Sequence, residues 1–359
     1  MKNRNPYEID FEEYIRHTDV SKKDKTIAWS TAIGLQQVDG LTPSSYLYET
    51  ARRNIEGELS FDEAKNLIDS YYQSKTVRTG DEDERTEEAD KVASRIAQIL
   101  SEPSFNFSPS HLIAIHKRLF EGILKTAGKI RDYDITKKEW VLNGDSVMYG
   151  ASYELKAALD YDFEQERNFH YNGLSVDETI RHITFFVSRL WQIHAFGEGN
   201  TRTTAVFTIK YLRSLGFNAD NDSFAQNSWY FRNALVRANY TNIKKGIQEN
   251  QIYLERFFRN LLLNEHNELK NRFTHIDYNN VNDNVNDNVN PLKQHTKISE
   301  NQQKIIDAIR KNPYITQKEL SEYVKITVAN ININMKKLQE TGILRRIGAD
   351  KNGYWEVLN

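Results

Sequence analysis

The sequence predicts a mainly α-helical protein: a helical bundle carrying one β-hairpin, followed by a small C-terminal winged helix domain. Three observations support this prediction. Apolar residues recur at helical spacing over most of the first 270 residues. A single Asn-Gly pair between two β-prone runs interrupts them, which is the strongest short signal for a hairpin. After a polar repeat, residues 298–359 have the order of three short helices and two strands.

Composition limits what the chain can be. A length of 359 residues is enough for two or three domains with a sizeable core. The net charge of −2 gives no bulk attraction to nucleic acid or anionic membranes. The absence of cysteine excludes disulfides, thiolate metal sites and a cysteine nucleophile. No apolar run approaches the roughly 20 residues that span a bilayer, and the N-terminus lacks signal-peptide features, so we expect a soluble, cytoplasmic protein.

We expect four parts along the chain: an N-terminal helical region (1–80), a helical core (81–273), a flexible linker (274–297) and the winged helix (298–359). In the first part, Pro43 and Ser44 mark the start of a helix over 45–54, and a second helix follows over 61–74. In the core, the helical pattern covers 92–100, 108–124, 153–166, the run up to His194, 203–215, 228–238 and 251–272.

The hairpin is predicted over residues 139–149, where Asn143-Gly144 forms the turn. The preceding run is Trp140-Val141-Leu142, and the following run contains Val147, Met148 and Tyr149. Two interpretations are open: a functional hairpin in an otherwise helical protein, or a connector between two helices.

The linker is predicted from a four-residue Asn-Val-Asn-Asp repeat over 280–291, which is too polar to bury. In the winged helix beyond it, Thr316 and Glu319 form the pattern of a capping box. The expected recognition helix over 328–340 begins without an arginine that could read guanine. DNA binding and a role as a protein-interaction or dimerisation module are therefore both open.

The most informative stretch is His194-Ala195-Phe196-Gly197-Glu198-Gly199-Asn200-Thr201-Arg202. His194 continues the apolar stripe of the preceding helix, so its imidazole should point inward. Gly197 and Gly199 indicate a tight loop that opens the next helix and presents unpaired backbone N–H groups to an anion.

These residue types suit phosphate chemistry. A buried histidine can act as a general base toward a hydroxyl, and Glu198 can hold Mg²⁺ together with substrate phosphates. Asn200 and Arg202 add side-chain donors to the backbone N–H groups. Taken singly, each residue has a plainer explanation: a packed core histidine, a loop carboxylate and a helix cap.

The order of these residues resembles the signature of the Fic family, His-x-Phe-x-[Asp/Glu]-Gly-Asn-[Gly/Lys]-Arg-x-x-Arg, and the similarity extends over about residues 30–272. It implies a Fic-type helical bundle that transfers AMP from ATP to a Ser, Thr or Tyr hydroxyl of a protein. His194 would be the base and Glu198 the Mg²⁺ ligand. The phosphates would be held by Gly197, Gly199, Asn200, Thr201 and Arg202.

The resemblance also gives roles to more distant residues. Residues 140–149 would form the flap that docks the target protein as an added strand. Asn239 lies where the family contacts adenine. Three positions depart from the signature: Ala195 replaces proline, Thr201 replaces Gly or Lys, and Ala205 replaces the second arginine, which would contact the γ-phosphate.

Glu56-Gly57 resembles the end of the family's inhibitory helix of the N-terminal type. Because Ala205 cannot receive the glutamate, we expect Glu56 to pair with Arg202 or a local arginine and to hold the resting enzyme nearly inactive. The alternative is that Glu56-Gly57 is only a helix end.

The leading interpretation is thus a self-inhibited protein AMP transferase that uses ATP and Mg²⁺, with a protein as substrate and DNA as a candidate partner of residues 298–359. One alternative is transfer of another nucleotide, or removal of AMP, on the same fold. A second is a DNA-binding regulator whose core senses nucleotide without transferring it. The sequence leaves the oligomeric state open, a homodimer included.

Overall fold

The computed structural model describes residues 20–74, 81–219, 222–277, 300–340, 343–347 and 354–357. The chain divides into two compact units, and the described residues end at 277 in the first unit and resume at 300 in the second. Most of these residues are helical, which confirms the predicted fold class. Among the described helices, none has both the length and the apolar character that a membrane crossing requires.

The described part of the first unit contains ten α-helices, joined by short 3₁₀ turns. They are α1 Val20–Gly34, α2 Ser45–Glu56, α3 Phe61–Ser74, α4 Asp81–Ser101, α5 Pro109–Phe120, α6 Leu155–Asn168, α7 Val176–Ile193, α8 Asn200–Ser214, α9 Ser223–Ala238 and α10 Ile252–Leu263. The 3₁₀ turns are Leu35–Asp39, Trp140–Leu142, Ser152–Glu154, Ile243–Lys245 and Asn271–Thr274.

One hydrophobic core joins the N-terminal helices to the rest of the unit. Trp29 of α1 and Ile55 of α2 belong to the same buried cluster as Phe207 of α8 and Phe257 of α10. The described helices of the N-terminal region, 1–80, therefore share one core with the rest of the first unit.

Helix α8 lies at the centre of this core. Every residue from Asn200 to Leu212 is buried, as the apolar pattern on most sides of this helix predicts. Helix α7 precedes it and begins with a capping box between Ser175 and Glu178. Because α7 ends at Ile193 and α8 begins at Asn200, the glycine-containing loop is fixed between two buried helices.

Three helices differ most from the sequence prediction. Helix α1 was not predicted, because its first half is charged and polar. Helix α4 begins at Asp81 rather than at 92, so the charged residues 81–88, for which the sequence allows an exposed connection or a solvated helix start, form the helix start. Helix α10 ends at Leu263 rather than at 272, since Asn264 adopts a left-handed conformation with φ of 53° and closes the helix.

The predicted β-hairpin is wrong in its secondary structure. Residues 139–149 fold back on themselves through bonds from Glu139 N to Asp145 O (3.0 Å) and from Gly144 N to Glu139 O (2.9 Å), without strands. A lone two-stranded hairpin is only marginally stable, and here Val141 and Leu142 are instead fully buried by the core. Both belong to the 3₁₀ turn.

The expected linker also begins too early. Thr274 is fully buried, and Ile276 donates from its backbone N–H to Val141 O (2.9 Å), so 274–277 pack against the first unit. The Asn-Val-Asn-Asp repeat lies outside the described residues.

The second unit contains α11 Glu300–Lys311, α12 Gln317–Val324 and α13 Val328–Glu340, followed by β1 Leu344–Ile347 and β2 Tyr354–Val357. The strands are antiparallel, with Leu344 opposite Val357. Thr316 and Glu319 form the predicted capping box. A separate small core contains Ile305, Leu320 and Ile331. The turn between the strands lies outside the described residues.

Candidate active site

His194 ends helix α7 in a left-handed backbone conformation, with φ of 51° and ψ of 55°. Such a conformation costs a residue other than glycine about 1–2 kcal/mol, so it must be held in place. The backbone N–H of His194 donates to Trp191 O (3.0 Å), and Arg131 Nε donates to His194 O (2.8 Å). The backbone N–H of Arg131 also donates to Ala195 O (2.9 Å). These bonds fix the histidine at the helix end.

The imidazole of His194 points inward, as predicted, and is 3% exposed. Its Nδ1 lies 3.3 Å from Trp191 O, and a carbonyl oxygen can only accept, so the ring proton is on Nδ1. Nε2 then carries the lone pair. This atom is buried and has no hydrogen-bond partner among the described residues. The ring thus presents a basic nitrogen that the surrounding protein does not use.

The charge state of His194 agrees with this tautomer. Burial lowers the pKa of His194 well below its usual value, and the nearby positive charges of Lys137, Arg131 and Arg232 lower it further. The hydrogen bond to Trp191 acts in the opposite direction. The imidazole is therefore neutral near physiological pH, which is the state that a general base requires.

The first turn of α8 opens beside this histidine. Its N-cap, Gly199, has φ of 71° and provides no side-chain cap. The first N–H groups of a helix have no partner within it, and together with the positive end of the helix dipole they favour an anion. A Cβ at Gly199 would lie 2.4 Å from the Phe120 ring, so both backbone conformation and space require glycine.

Two predicted site residues use their side chains to hold the loop. Asn200 Nδ2 donates to Phe196 O (2.6 Å), and its Oδ1 accepts from the Phe196 N–H (3.0 Å). Thr201 Oγ1 accepts from Trp191 Nε1 (3.0 Å), so its hydroxyl ties α8 to α7 and does not enlarge the anion site. The groups left to face an anion are the backbone N–H groups.

One short loop thus places a base with an unused lone pair next to an open helix N-terminus. Residues 106–212 match the sequence model of the Fic/DOC family. The chain contains a Fic/DOC domain.

A second match covers residues 298–345 and is described as a winged helix-turn-helix DNA-binding domain. The chain is 24% identical over 255 residues to the protein adenylyltransferase VbhT of Bartonella schoenbuchensis. That match covers 66% of this chain and 50% of VbhT, so only half of the relative's length is represented. The crystal structure of a Fic family protein from Desulfovibrio desulfuricans G20 aligns over 98% of this chain and 91% of its own, with 12% identity and a TM-score of 0.41.

Arg202 of the Fic/DOC domain is buried and already engaged. Its guanidinium donates to Glu88 Oε1 (2.6 Å) on α4 and to Gln36 Oε1 (3.1 Å), and its Nε lies 2.8 Å from Asp39 Oδ2. It also lies over the Phe120 ring at 4.8 Å. The arginine expected to hold phosphates is thus occupied by two carboxylates, Asp39 and Glu88.

Glu56 is not among these partners, so of the two expected pairings, with Arg202 or with a local arginine, the structure contradicts the first. Its Oε2 accepts from Lys22 Nζ at 2.8 Å instead. Gly57 closes helix α2 with φ of 85°, as a glycine after a helix commonly does. The two carboxylates that reach Arg202 come from the turn after α1 and from α4, where the sequence shows no recognisable motif.

Glu198 is the residue of the Fic/DOC domain suited to a metal ion. Its carboxylate is exposed at the loop and forms no hydrogen bond or ion pair within the described part of the chain. The same residues contain no cluster of three or more acidic or histidine side chains that would form a metal site by itself. One free carboxylate nevertheless fits Mg²⁺, which commonly takes its remaining ligands from substrate phosphates and water.

The segment expected as a target-docking flap divides into buried and exposed residues. Val141, Leu142, Val147 and Tyr149 are buried, and the Tyr149 ring lies 4.2 Å from the His194 ring. The exposed members are Trp140, Asn143, Gly144 and Met148, of which Met148 is 84% exposed. Only this second group could contact a partner.

Sequence reasoning missed two residues that shape the site. Arg131 holds the His194 carbonyl, as described above. His116 Nε2 donates to Glu198 O (3.1 Å), while its Nδ1 accepts from the Gly128 N–H (2.9 Å) and its ring stacks on Phe196 at 3.8 Å. Arg131 is 63 positions from His194 and His116 is 82 positions from Glu198, so no local sequence signal could identify them.

Asn239 follows α9 and is nearly buried. Its Nδ2 donates to Leu235 O (2.9 Å) and Ser188 O (3.2 Å), two carbonyls that fix the orientation of the amide. Both of its N–H groups are thereby used. The group that Asn239 has left to offer a ligand is the acceptor Oδ1.

Proposed function

We propose that the Fic/DOC domain transfers AMP from ATP to a Ser, Thr or Tyr hydroxyl of a protein. The observation that carries this proposal is the buried, unpartnered Nε2 of His194 beside the open N-terminus of α8. The Fic/DOC match and the similarity to a protein named as an adenylyltransferase support the same reaction class.

In this reaction His194 Nε2 accepts the proton of the target hydroxyl. The hydroxyl oxygen forms a bond to the α-phosphorus, and the bond between that phosphorus and the oxygen leading to the β-phosphate breaks, releasing pyrophosphate. The backbone N–H groups of Gly199, Asn200 and Thr201 stabilise the negative charge on the α-phosphoryl oxygens. The side chains of Asn200 and Thr201 contribute by keeping these donors in place.

Glu198 would hold Mg²⁺, whose chemistry is to neutralise phosphate charge. The exposed Trp140 and Met148 would contact the target protein next to the base. The acceptor Oδ1 of Asn239 suits the exocyclic amine of adenine, whereas guanine would present a second acceptor there. These features favour ATP over GTP as donor.

We also propose that the domain inhibits itself through Asp39 and Glu88, and not through Glu56, which the sequence suggests. In the resting state Asp39 and Glu88 occupy the guanidinium of Arg202, which would otherwise attract the outer phosphates. Activation then requires that these carboxylates withdraw or that a bound nucleotide displaces them.

The test is incubation of the full chain with ATP, GTP, UTP or CTP and Mg²⁺, followed by intact-mass and peptide mass spectrometry. We expect an added AMP on a hydroxyl residue of the chain itself or of a protein substrate. His194→Ala should abolish labelling and retain nucleotide binding. His170→Ala changes an exposed histidine of the same unit and is the matched control.

Each outcome distinguishes one alternative. A different added nucleotide identifies another donor on the same fold. Binding of nucleotide without any label on chain or candidate proteins contradicts transfer and supports a nucleotide-sensing regulator. Loss of AMP from a previously modified protein, dependent on His194, would assign the reverse reaction.

For the second unit we propose DNA binding. The winged helix-turn-helix match supports it, and so does the surface of α13, where Asn330, Ile333, Lys336 and Lys337 are exposed. Asparagine can pair with adenine and an apolar side chain with the thymine methyl group, so A·T-rich sites are favoured.

The measurement is binding of the full chain to fluorescent A·T-rich and G·C-rich duplexes over a range of salt concentrations. Lys336→Glu with Lys337→Glu should weaken binding to both duplexes and reduce its salt dependence. Lys311→Glu, at the exposed end of α11, is the control. Binding that responds equally to both sets of substitutions would contradict recognition through α13.

A further inference from the structure

Lys137 lies in the segment that leads from Arg131 to the 3₁₀ turn of residues 140–142. Its backbone N–H donates to Ser146 Oγ (3.2 Å), which holds its main chain at the base of the flap. Its side chain is half-buried, and within the described residues its ammonium forms no hydrogen bond and no ion pair within 4.0 Å. Removing an ammonium group from water without a partner is unfavourable, so a negatively charged ligand would be a favourable partner for Lys137.

The surroundings of Lys137 belong to the candidate active site. Its positive charge acts on His194 and lowers the pKa of that imidazole. Burial lowers the pKa of Lys137 itself, while the carboxylates of Asp39, Glu139 and Glu198 raise it. The ammonium therefore lies within electrostatic reach of His194, Glu198 and Asp39.

The other described cations around His194 are already engaged. Arg131 donates to backbone carbonyls, including that of His194. Arg232 pairs with Glu139 at 2.7 Å, and Arg202 pairs with Glu88 and Asp39. Lys137 is the one cation of this described group without a bonded partner.

Helix α8 provides no substitute. Ala205, one turn after Arg202, is fully buried in the core and carries no charge. A negatively charged ligand held at the first turn of α8 would thus extend toward Lys137, the free positive charge in the segment that precedes residues 140–149.

The geometry points to Lys137 as the residue that binds the phosphates beyond the α-phosphate of the donor nucleotide. This inference rests on the proposed function and extends it to the recognition of the leaving group. An ammonium is a compact point charge that binds phosphate oxygens without a fixed geometry, which suits a group on a loop. The negative charge that develops on departing pyrophosphate would be stabilised by the same contact.

Selectivity for the number of phosphates follows. A ligand with β- and γ-phosphates gains the contact to Lys137, whereas AMP, which has only the α-phosphate, does not. We expect the full chain to bind ATP and ADP more tightly than AMP, even without Mg²⁺.

The experiment measures dissociation constants of ATP, ADP and AMP by calorimetry in EDTA, for wild type and for Lys137→Gln, Lys137→Arg and Lys138→Gln. Lys137→Gln should weaken ATP binding roughly tenfold and leave AMP binding unchanged. Lys137→Arg should retain most of the affinity for ATP. Lys138→Gln removes the neighbouring exposed charge and should have little effect.

Two results would overturn the inference. An equal loss of ATP and AMP affinity in Lys137→Gln would mean that Lys137 supports the fold, and thermal unfolding of each variant tests this directly. Unchanged ATP affinity would mean that Lys137 does not contact the phosphates. If wild type binds ATP but labels no protein, the transfer proposal fails while these affinities still decide the role of Lys137. If it binds no nucleotide, both fail.

Discussion

Arg202 and Glu88 form a 2.6 Å ion pair between the first turn of α8 and helix α4, although the two residues are 114 positions apart. The arginine is 3% exposed at its side chain and the glutamate 24%. This pair joins the start of α8, directly after the loop that carries the proposed base, to helix α4.

Glu88→Gln tests whether the pair restrains the site. Freed from one carboxylate, Arg202 should attract nucleotide phosphates, so autolabelling with ATP should increase. The same change removes half of a largely buried pair and should lower the free energy of unfolding by about 2 kcal/mol, measured by denaturant titration.

Glu84→Gln is the matched control for this variant, since it makes the same change at an exposed position of α4. Glu56→Gln tests the carboxylate that the sequence suggested, and we expect it to label like wild type. Stronger labelling by Glu56→Gln than by Glu88→Gln would assign inhibition to Glu56 instead.

The rate of labelling should depend on pH in a specific direction. His194 acts as a base only when neutral, and burial together with nearby positive charges lowers its pKa below the usual 6.5. The rate should therefore stay constant as pH falls to 6.5 and decline only at lower pH.

Lys137→Gln removes one of the charges that lower this pKa, so the decline should move to higher pH. Rates measured between about pH 5 and pH 8 for both proteins check this. A decline centred above pH 6.5 in wild type, or no movement in the variant, would contradict the assignment of His194 as the titrating base.

Asn200→Ala should disrupt the loop. The variant loses both hydrogen bonds to the Phe196 backbone, so the buried N–H and C=O groups of Phe196 lose these partners. We expect a loss of about 2 kcal/mol in the free energy of unfolding and a large decrease in labelling. Asn168→Ala, at the exposed end of α6, should change neither. Normal labelling by Asn200→Ala would show that the loop keeps its shape without this side chain.

Gly34→Ala should be strongly destabilising. A Cβ at this position would lie 2.2 Å from the backbone oxygen of Ala225, where α1 contacts α9. Because backbone cannot move aside as a side chain can, the expected cost is about 3 kcal/mol or more. Gly57→Ala is the comparison: nothing lies within 4 Å, and its φ of +85° alone should cost about 1–2 kcal/mol. Equal stabilities for the two variants would contradict close helix packing at Gly34.

Much of the helical fold could be predicted because local signals agree with burial. Ser44 caps α2 by accepting from the Leu47 N–H, and Thr316 opens α12, both at positions read from the sequence. Helix α1 escaped prediction because its charged first half hides a stripe that includes the fully buried Trp29. The Asn-Gly turn was correct, but its flanking runs pack into the core instead of pairing as strands.

The inward orientation of His194 and the start of a helix after Gly199 could also be predicted, because they depend on residues within one loop. The partners of Arg202 could not, since Gln36 is 166 positions away and Glu88 is 114. The same holds for Arg131, which reaches the His194 carbonyl across 63 positions. Contacts of this kind are set by tertiary packing, for which a single sequence contains no local signal.

The side chains that hold the loop of residues 194–202 are different from those proposed to select the donor and the target. Enzymes often use one set of side chains for both purposes. Asn200, Thr201 and His116 are committed to keeping the backbone donors and the base in register, so substitutions there would damage any transfer reaction alike. Lys137, Asn239 and the exposed Trp140 and Met148 lie outside that scaffold. In the proposed reaction, the choice of donor and target can therefore change through these peripheral positions while the reacting centre stays intact.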